Sequence, residues 1–242
     1  MSHQTIIQEQ VSQHPYYPKE AILDGYTAST RSSLEILVYL GLMIASVIAT
    51  SIALTFRHSK KNSTDRSRIG SVDKFAVGWF AVCAFIHFCI EGYFVYNHKT
   101  LASQTGLFPD LWREYSLSDS RYLTSDPFTV IMEAITATFD TVMALLTVYG
   151  ILNGSSFRHV AQFACSLAQL YGNVLYLSTN YFEGFKYTHP HGYYFWFYFV
   201  FMNSFWIFFP IFFAIHSWTH LTKAVSIADH VVYSNSQKPK SS

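Results

Sequence analysis

The sequence predicts an all-α integral membrane protein with five transmembrane helices, and three observations predict it. Half of the 242 residues are hydrophobic and only 13% are charged, against about 25% charged in soluble domains. Five stretches reach the roughly 20 residues that a spanning helix needs. Two of those stretches carry carboxylates at membrane depth, where an ionisable group costs about 2.5–3.5 kcal/mol on insertion scales and is usually turned inward, paired and used. The net charge of +1 argues against a nucleic-acid binder, which needs a basic face. The three cysteines, Cys83, Cys89 and Cys165, all fall in apolar stretches and read as small core hydrophobes, not as a disulfide framework.

Residues 1–33 form a polar N-terminal segment without the short apolar core of a cleaved signal peptide. The five-helix domain follows over 34–222. Its first span, Ile36 to Phe56, is aliphatic and small; the second runs from about Phe75 to Asn97 and the third from about Phe128 to Leu152. The fourth, about His159 to Tyr181, is the most polar, and the fifth, about Tyr193 to Ile215, is aromatic. Between the first two spans lies a basic loop with Arg57, Lys60, Lys61, Arg66, Arg68 and Lys74. The connection from about Lys99 to Asp126 is long for a compact domain, as functional lids are. Its Trp112, Tyr115 and Tyr122 predict that it folds back on the membrane face. Residues 223–242 are a polar tail, expected to be mobile. Lys and Arg on alternate sides number ten against six. By the positive-inside rule this bias puts the C-terminus in the cytosol. There Lys238-Pro-Lys240-Ser-Ser has the look of a dilysine endoplasmic-reticulum retrieval signal. The sequons at Asn62 and Asn153 then face the cytosol and stay unused.

His87 and Glu91 stand four residues apart on the second span and project from one face. They read as an acid–base pair; the competing reading is an interhelical polar clasp. On the third span Glu133, Thr136, Ala137 and Asp140 share a stripe. A carboxyl such as Glu133, desolvated and without a Lys or Arg beside it, is expected to be neutral, and a neutral acid in an apolar pocket is a proton donor. The alternative is a protonated Glu that only bonds another helix. Asp140 is placed near the cytosolic end of its span and read as structural. Gln162, Gln169, Asn173, Tyr176 and Asn180 fall on one face of the fourth span and read as packing amides. On the fifth, Asn203, Trp206 and Pro210 share a face; the proline can open space, and the Trp206 ring can hold a cation. No metal site is expected: there is no His-x-x-His-His box, no Glu-x-x-His pair and no paired cysteines. His216 with His220, and His189 with His191, read as boundary and loop features. A proton-coupled transporter would need inverted repeats or broken helices, and neither is seen.

Beyond these single positions, long motifs carry a resemblance. They are Trp79-Phe-Ala-Val-Cys-Ala-Phe-Ile-His87 through Glu91-Gly-Tyr-Phe, Leu111-Trp-Arg-Glu-Tyr115, Asp119-Ser-Arg-Tyr122, Phe128-Thr-Val-Ile-Met-Glu133-Ala-Ile-Thr136, Gln169-Leu-Tyr-Gly172 and Tyr194-Phe-Trp-Phe-Tyr-Phe-Val-Phe-Met-Asn203. Together, from His14-Pro-Tyr-Tyr-Pro to the last span, they resemble the emopamil-binding protein family, the 3β-hydroxysteroid Δ8,Δ7-isomerases of sterol biosynthesis. The resemblance implies a five-helix bundle around an intramembrane sterol pocket, residence in the endoplasmic reticulum, and no cofactor. It implies catalytic roles for His87, Glu91, Glu133 and Asn203, with Thr136, Trp206, Tyr115 and Tyr122 binding substrate. The partners implied are a Δ8 sterol, amphiphilic-amine inhibitors and the bilayer, with a homodimer an allowed assembly. The reaction implied is protonation at C9, a carbocation at C8 and loss of a proton from C7. Two positions depart from the family pattern: Asn173 replaces an Asp, and Asp140 is an extra carboxylate. The alternative from another class is a non-catalytic sterol- or amine-binding relative.

Overall fold

The computed structural model describes residues 14–61 and 69–236. Most of the basic loop, with Asn62, Arg66 and Arg68, lies outside them, as do Lys238 and Lys240. Among the described residues every regular element is helical. Helix α1 (Ser33–Lys61) starts on a reciprocal cap: Glu35 accepts from the Ser32 amide at 2.8 Å, and the Glu35 amide donates to Ser32 Oγ at 3.3 Å. It stands at the edge of the bundle, with only 11% of its most apolar stretch buried. Helix α2 (Ser71–Asn97) is half covered by its neighbours. Helix α4 (Pro127–Leu152) starts on Asp126, whose side chain accepts from the Thr129 amide, with Pro127 in the first turn. At its far end Gly150 lies against Arg158, where a Cβ would come within 3.0 Å of the arginine's own. The α4–α5 turn therefore closes tightly. Helix α5 (Arg158–Phe182) and helix α6, Tyr194–Met202 continued by Asn203–Ser236, complete the bundle.

Among the described residues four helices, α1, α2, α4 and α6, are long and apolar enough to cross a membrane. The sequence-based count was five. The fifth, α5, matches them in length, but Gln162, Gln169, Asn173 and Asn180 on its buried face lower its mean hydropathy. The expected polar tail is helical as far as it is described, to Ser236. The apolar helix that begins at Tyr194 is 41 residues long, about 60 Å at 1.5 Å per residue, twice a ~30 Å hydrocarbon core. Residues 223–236 are thus a helical overhang, exposed throughout its described side chains.

The long 98–126 connection is a folded plug. It holds α3 (Leu107–Tyr115), which starts at Gly106 with φ +132°, and a short turn at Ser120–Tyr122. Residues 14–32 and 183–192 pack on the same end of the bundle through backbone bonds such as Thr27 to Ala102, Ser120 to Tyr187 and His189 to Leu117. Two buried ion clusters hold this cap. Asp110 accepts from Arg113 (2.5 Å) and Arg31 (2.7 Å), and Asp119 from Arg121 (2.7 Å) and Asn180 (3.0 Å). Burial alone would raise the Asp110 carboxyl, but the bonds from Arg113, Arg31 and Thr30 outweigh it and hold the group below its usual range. Removing one partner of such a buried pair costs about 3–5 kcal/mol. The cap seats Trp112 and Tyr122 in the core, their rings stacked at 4.8 Å.

Three helices widen into π-helical turns, at Ile86–Glu91, Thr136–Asp140 and Tyr194–Met202. Neighbouring side chains bond carbonyls within each turn. Trp112 Nε1 donates to Ile90 O at 3.0 Å, Cys165 Sγ to Asp140 O at 3.6 Å, and Asn203 Nδ2 to Phe199 O at 2.8 Å. Such turns are frequent at functional sites; the first holds His87 and Glu91, the second holds Asp140, and Glu133 lies three residues before the second.

Candidate active site

A cavity of about 590 Å³ runs through the bundle from Lys74 and Phe75 to Tyr115 and Tyr122 beneath the cap. Its size falls within the ~300–1,000 Å³ of small-molecule sites. One wall is the apolar stripe Leu40, Ile44, Ile48 and Ile52 of α1, spaced at helical periods. All eight site residues expected from the sequence, His87, Glu91, Tyr115, Tyr122, Glu133, Thr136, Asn203 and Trp206, line this one space.

The polar wall is a continuous file of hydrogen bonds. Tyr122 Oη donates to Glu133 Oε1 at 2.5 Å. Thr136 Oγ1 lies 3.2 Å from Glu133 Oε2 and 2.6 Å from Glu91 Oε2. The same Glu91 oxygen is 2.7 Å from His87 Nδ1, and His87 Nε2 is 3.0 Å from the amide nitrogen of Gln169. Counting protons orders the file. The threonine has one hydrogen, and His87 is the one basic side chain bonded to either carboxyl. The bonds are all satisfied when Glu133 carries a proton on Oε2 and gives it to Thr136 Oγ1, while Thr136 and His87 Nδ1 both donate to an ionised Glu91. Tyr122 is suited to its end of the file: burial keeps its phenol well above the usual range, so it remains a donor.

Both nitrogens of His87 are engaged, and His87 and Glu91 both line the cavity. His87 presents its ring to Trp206, centroids 5.2 Å apart, and Trp206 packs on Trp79 at 5.3 Å. Asn203 lies on another wall. Its side-chain amide donates to Tyr115 Oη at 3.2 Å and to Phe199 O, and its backbone carbonyl accepts from the Asn173 side chain at 3.0 Å. It makes no direct bond to either glutamate.

Gln169 belongs to the site, although its spacing reads as one more packing amide. The signal available was its register with Asn173 and Tyr176, which line the same cavity. Asp140, expected near the cytosolic end of its span, is instead mid-helix and fully buried: the helix runs twelve residues beyond it to Leu152. His189 and His191 lie in the cap, and His216 and His220 at the opposite end of the bundle. None of the four lines the cavity.

The profile described as EXPERA (EXPanded EBP superfamily) matches residues 107–217. Over 220 residues the chain is 38% identical to the 3-beta-hydroxysteroid-Delta(8),Delta(7)-isomerase of Rattus norvegicus, covering 90% of this chain and 93% of that protein. It is 37% identical over 198 residues to the isomerase of the same name from Cavia porcellus, covering 81% and 84%. To the protoglabretal synthase of Ailanthus altissima it is 30% identical over 220 residues, covering 90% and 97%.

Proposed function

This chain belongs to the emopamil-binding protein family of sterol Δ8,Δ7-isomerases, and from that premise we propose that it moves a sterol double bond from C8–C9 to C7–C8 within the described cavity. One observation supports this reading above the others: a single hydrogen-bonded file joins two carboxyls through one threonine hydroxyl on the wall of an apolar cavity. Glu133 gives its proton to C9, and the positive charge appears at C8. The electrons of the C7–H bond then form the C7=C8 double bond as Glu91 Oε1 takes the C7 proton. His87 holds Glu91 ionised and in place, and its proton count is read by Gln169, whose amide can turn to present oxygen instead of nitrogen. Trp206 and the carboxylate stabilise the cation, in a dry site where such effects are largest. Thr136, bridging the glutamates, passes the proton back from Glu91 to Glu133. Each turnover then closes without net gain or loss of protons. Asn203 fixes Tyr115 in the cavity wall.

The test is to incubate membranes containing the protein with a Δ8 sterol in deuterated water. A Δ7 product with deuterium at C9 is expected. Recovery of the Δ8 sterol unchanged would point to the non-catalytic binder.

The protein is an integral membrane protein, and we place it in the endoplasmic reticulum with the α6 overhang in the cytosol, on the strength of its Lys and Arg distribution. A tag after Ser242 should be reached by antibody in cells whose plasma membrane alone is permeabilised, and Asn153, exposed after α4, should stay unglycosylated. A glycan at Asn153 would reverse this orientation.

A further inference from the structure

A second polar system lies behind the catalytic wall, outside the cavity. Asp140 is fully buried on α4, and neither of its carboxyl oxygens has a hydrogen-bond partner in the protein. Cys165 Sγ of α5 donates to the Asp140 carbonyl oxygen at 3.6 Å, so Asp140 lies beside the helix that carries Gln162, Ser166 and Gln169. The buried face of α5 repeats the pattern. His159 Nδ1, Gln162 Oε1, Ser166 Oγ and Gln169 Oε1 are all buried and unpartnered, as are Thr141 Oγ1 of α4 and Ser217 Oγ of α6. Positions 159, 162, 166 and 169 follow one another along a single helix face. Their steps of three and four residues are about 4.5–6 Å along the axis, a gap one water molecule bridges. The file starts at the end of the bundle opposite the cap. There the rings of His159 and His220 stack at 4.3 Å, and Gln162 Nε2 lies 3.2 Å from His216 Nδ1. It ends at Gln169, which bonds His87 Nε2, the nitrogen turned away from Glu91. Asp140, Gln162 and Ser166 do not line the substrate cavity.

Unpartnered polar groups at this density are costly in an apolar interior, and buried groups of this kind are ordinarily satisfied by protein or by water. We propose that Asp140 and this face of α5 form a hydrated proton path, separate from the substrate cavity, that connects His87 to the end of the bundle bearing His159, His216 and His220. Water is the ligand, and Asp140 is its one carboxyl among the described residues: it takes a proton from the His87–Gln169 side and releases it toward Ser166, or the reverse, with no net change. Turnover does not require the path, because Thr136 already returns the proton from Glu91 to Glu133. The path sets how often that proton is exchanged for one from solvent before the next substrate arrives. Asp140 is therefore a positioning and relay residue, not one that touches substrate.

This inference rests on the isomerase reading, and isotope content separates the two. Unlabelled Δ8 sterol is converted over many turnovers in deuterated water by the full-length protein in membranes. Without exchange, protium taken from C7 of one substrate reappears at C9 of the next. Wild type is expected to place deuterium at C9 in nearly all product. Asp140→Asn keeps the shape and loses the exchangeable acid, and Ser166→Val puts methyl groups where the hydroxyl stands. A group that relays protons is worth about 10²–10⁴-fold in its step, so each variant should raise the protium retained at C9 at least about tenfold while still making Δ7 product. Product of wild-type isotope content from both variants, whether formed at normal or reduced rate, would overturn the path and leave Asp140 a packing residue. Absence of Δ7 product from wild type would instead overturn the isomerase reading, and this inference with it.

Discussion

Glu133→Gln is expected to lower the turnover of a Δ8 sterol by about 10²–10⁴-fold, the usual worth of a general acid, while leaving the protein folded. The amide reproduces every bond of the protonated carboxyl. Its oxygen accepts from Tyr122 Oη where Glu133 Oε1 now accepts at 2.5 Å, and its NH2 donates to Thr136 Oγ1 where Oε2 now lies at 3.2 Å. With hydrogen bonding and volume conserved, stability should move by less than about 1 kcal/mol. What is lost is the proton. The measurements are Δ7 product formed per unit time and thermal melting of the detergent-solubilised protein. Wild-type turnover would remove Glu133 from the reaction. A collapse of the melt together with activity would show that the carboxyl is ionised in the resting protein, because an amide replaces a protonated acid at little cost and a charged one at large cost.

Much of this site was legible in the sequence because membranes make polar residues conspicuous. His87, Glu91, Glu133 and Thr136 stood out against apolar spans, and the structure brings all four into one hydrogen-bonded file. Trp206 and Asn203 also line the cavity their spacing pointed to. The π-helical turns were not legible. A widened turn differs from an α turn by one hydrogen-bond step, and its side chains obey the same hydropathy. Gln169 was misread because an amide on a buried helix face has the same signature whether it glues helices or orients an imidazole. Asp140 was misplaced against the span's own bounds: the expected stretch, about Phe128 to Leu152, and the observed helix, Pro127–Leu152, both have the residue at their middle. The overhang of α6 escaped for the opposite reason: residues 223–236 lack the apolar run that marks a span, while their helical bonding continues. Likewise the cap looked like a loop because its order comes from Asp110, Arg113, Asp119 and Arg121. Charged residues in a connection ordinarily signal solvent.

A cation at C8 implies a ligand preference that can be measured without turnover. A tertiary amine with a sterol-sized apolar body is protonated near neutral pH, and its ammonium imitates the intermediate. In the cavity it would lie against Glu91 and Glu133, over the ring of Trp206, which His87 and Trp79 already hold at 5.2 and 5.3 Å. A carbon isostere of the same shape makes the apolar contacts but forfeits the charge-assisted bond, worth about 1.5–3 kcal/mol, and the cation–π contact, worth about 0.5–2 kcal/mol. The amine should therefore bind at least about 2–3 kcal/mol more tightly, roughly 30- to 150-fold in Kd. Displacement of a labelled amine from wild-type membranes reads this ratio directly. Glu91→Gln should shrink it most, since Glu91 is the carboxylate ionised at rest. Glu133→Gln should shrink it less, since there an amide replaces a carboxyl that is already neutral. That ordering separates the two glutamates by their charge in the resting protein, independently of any effect on catalysis. Equal affinity of amine and isostere for wild type would mean that the cavity recognises bulk alone, and the stabilisation of a C8 cation would lose its basis. A larger loss with Glu133→Gln than with Glu91→Gln would exchange the two roles, making Glu91 the acid and Glu133 the base.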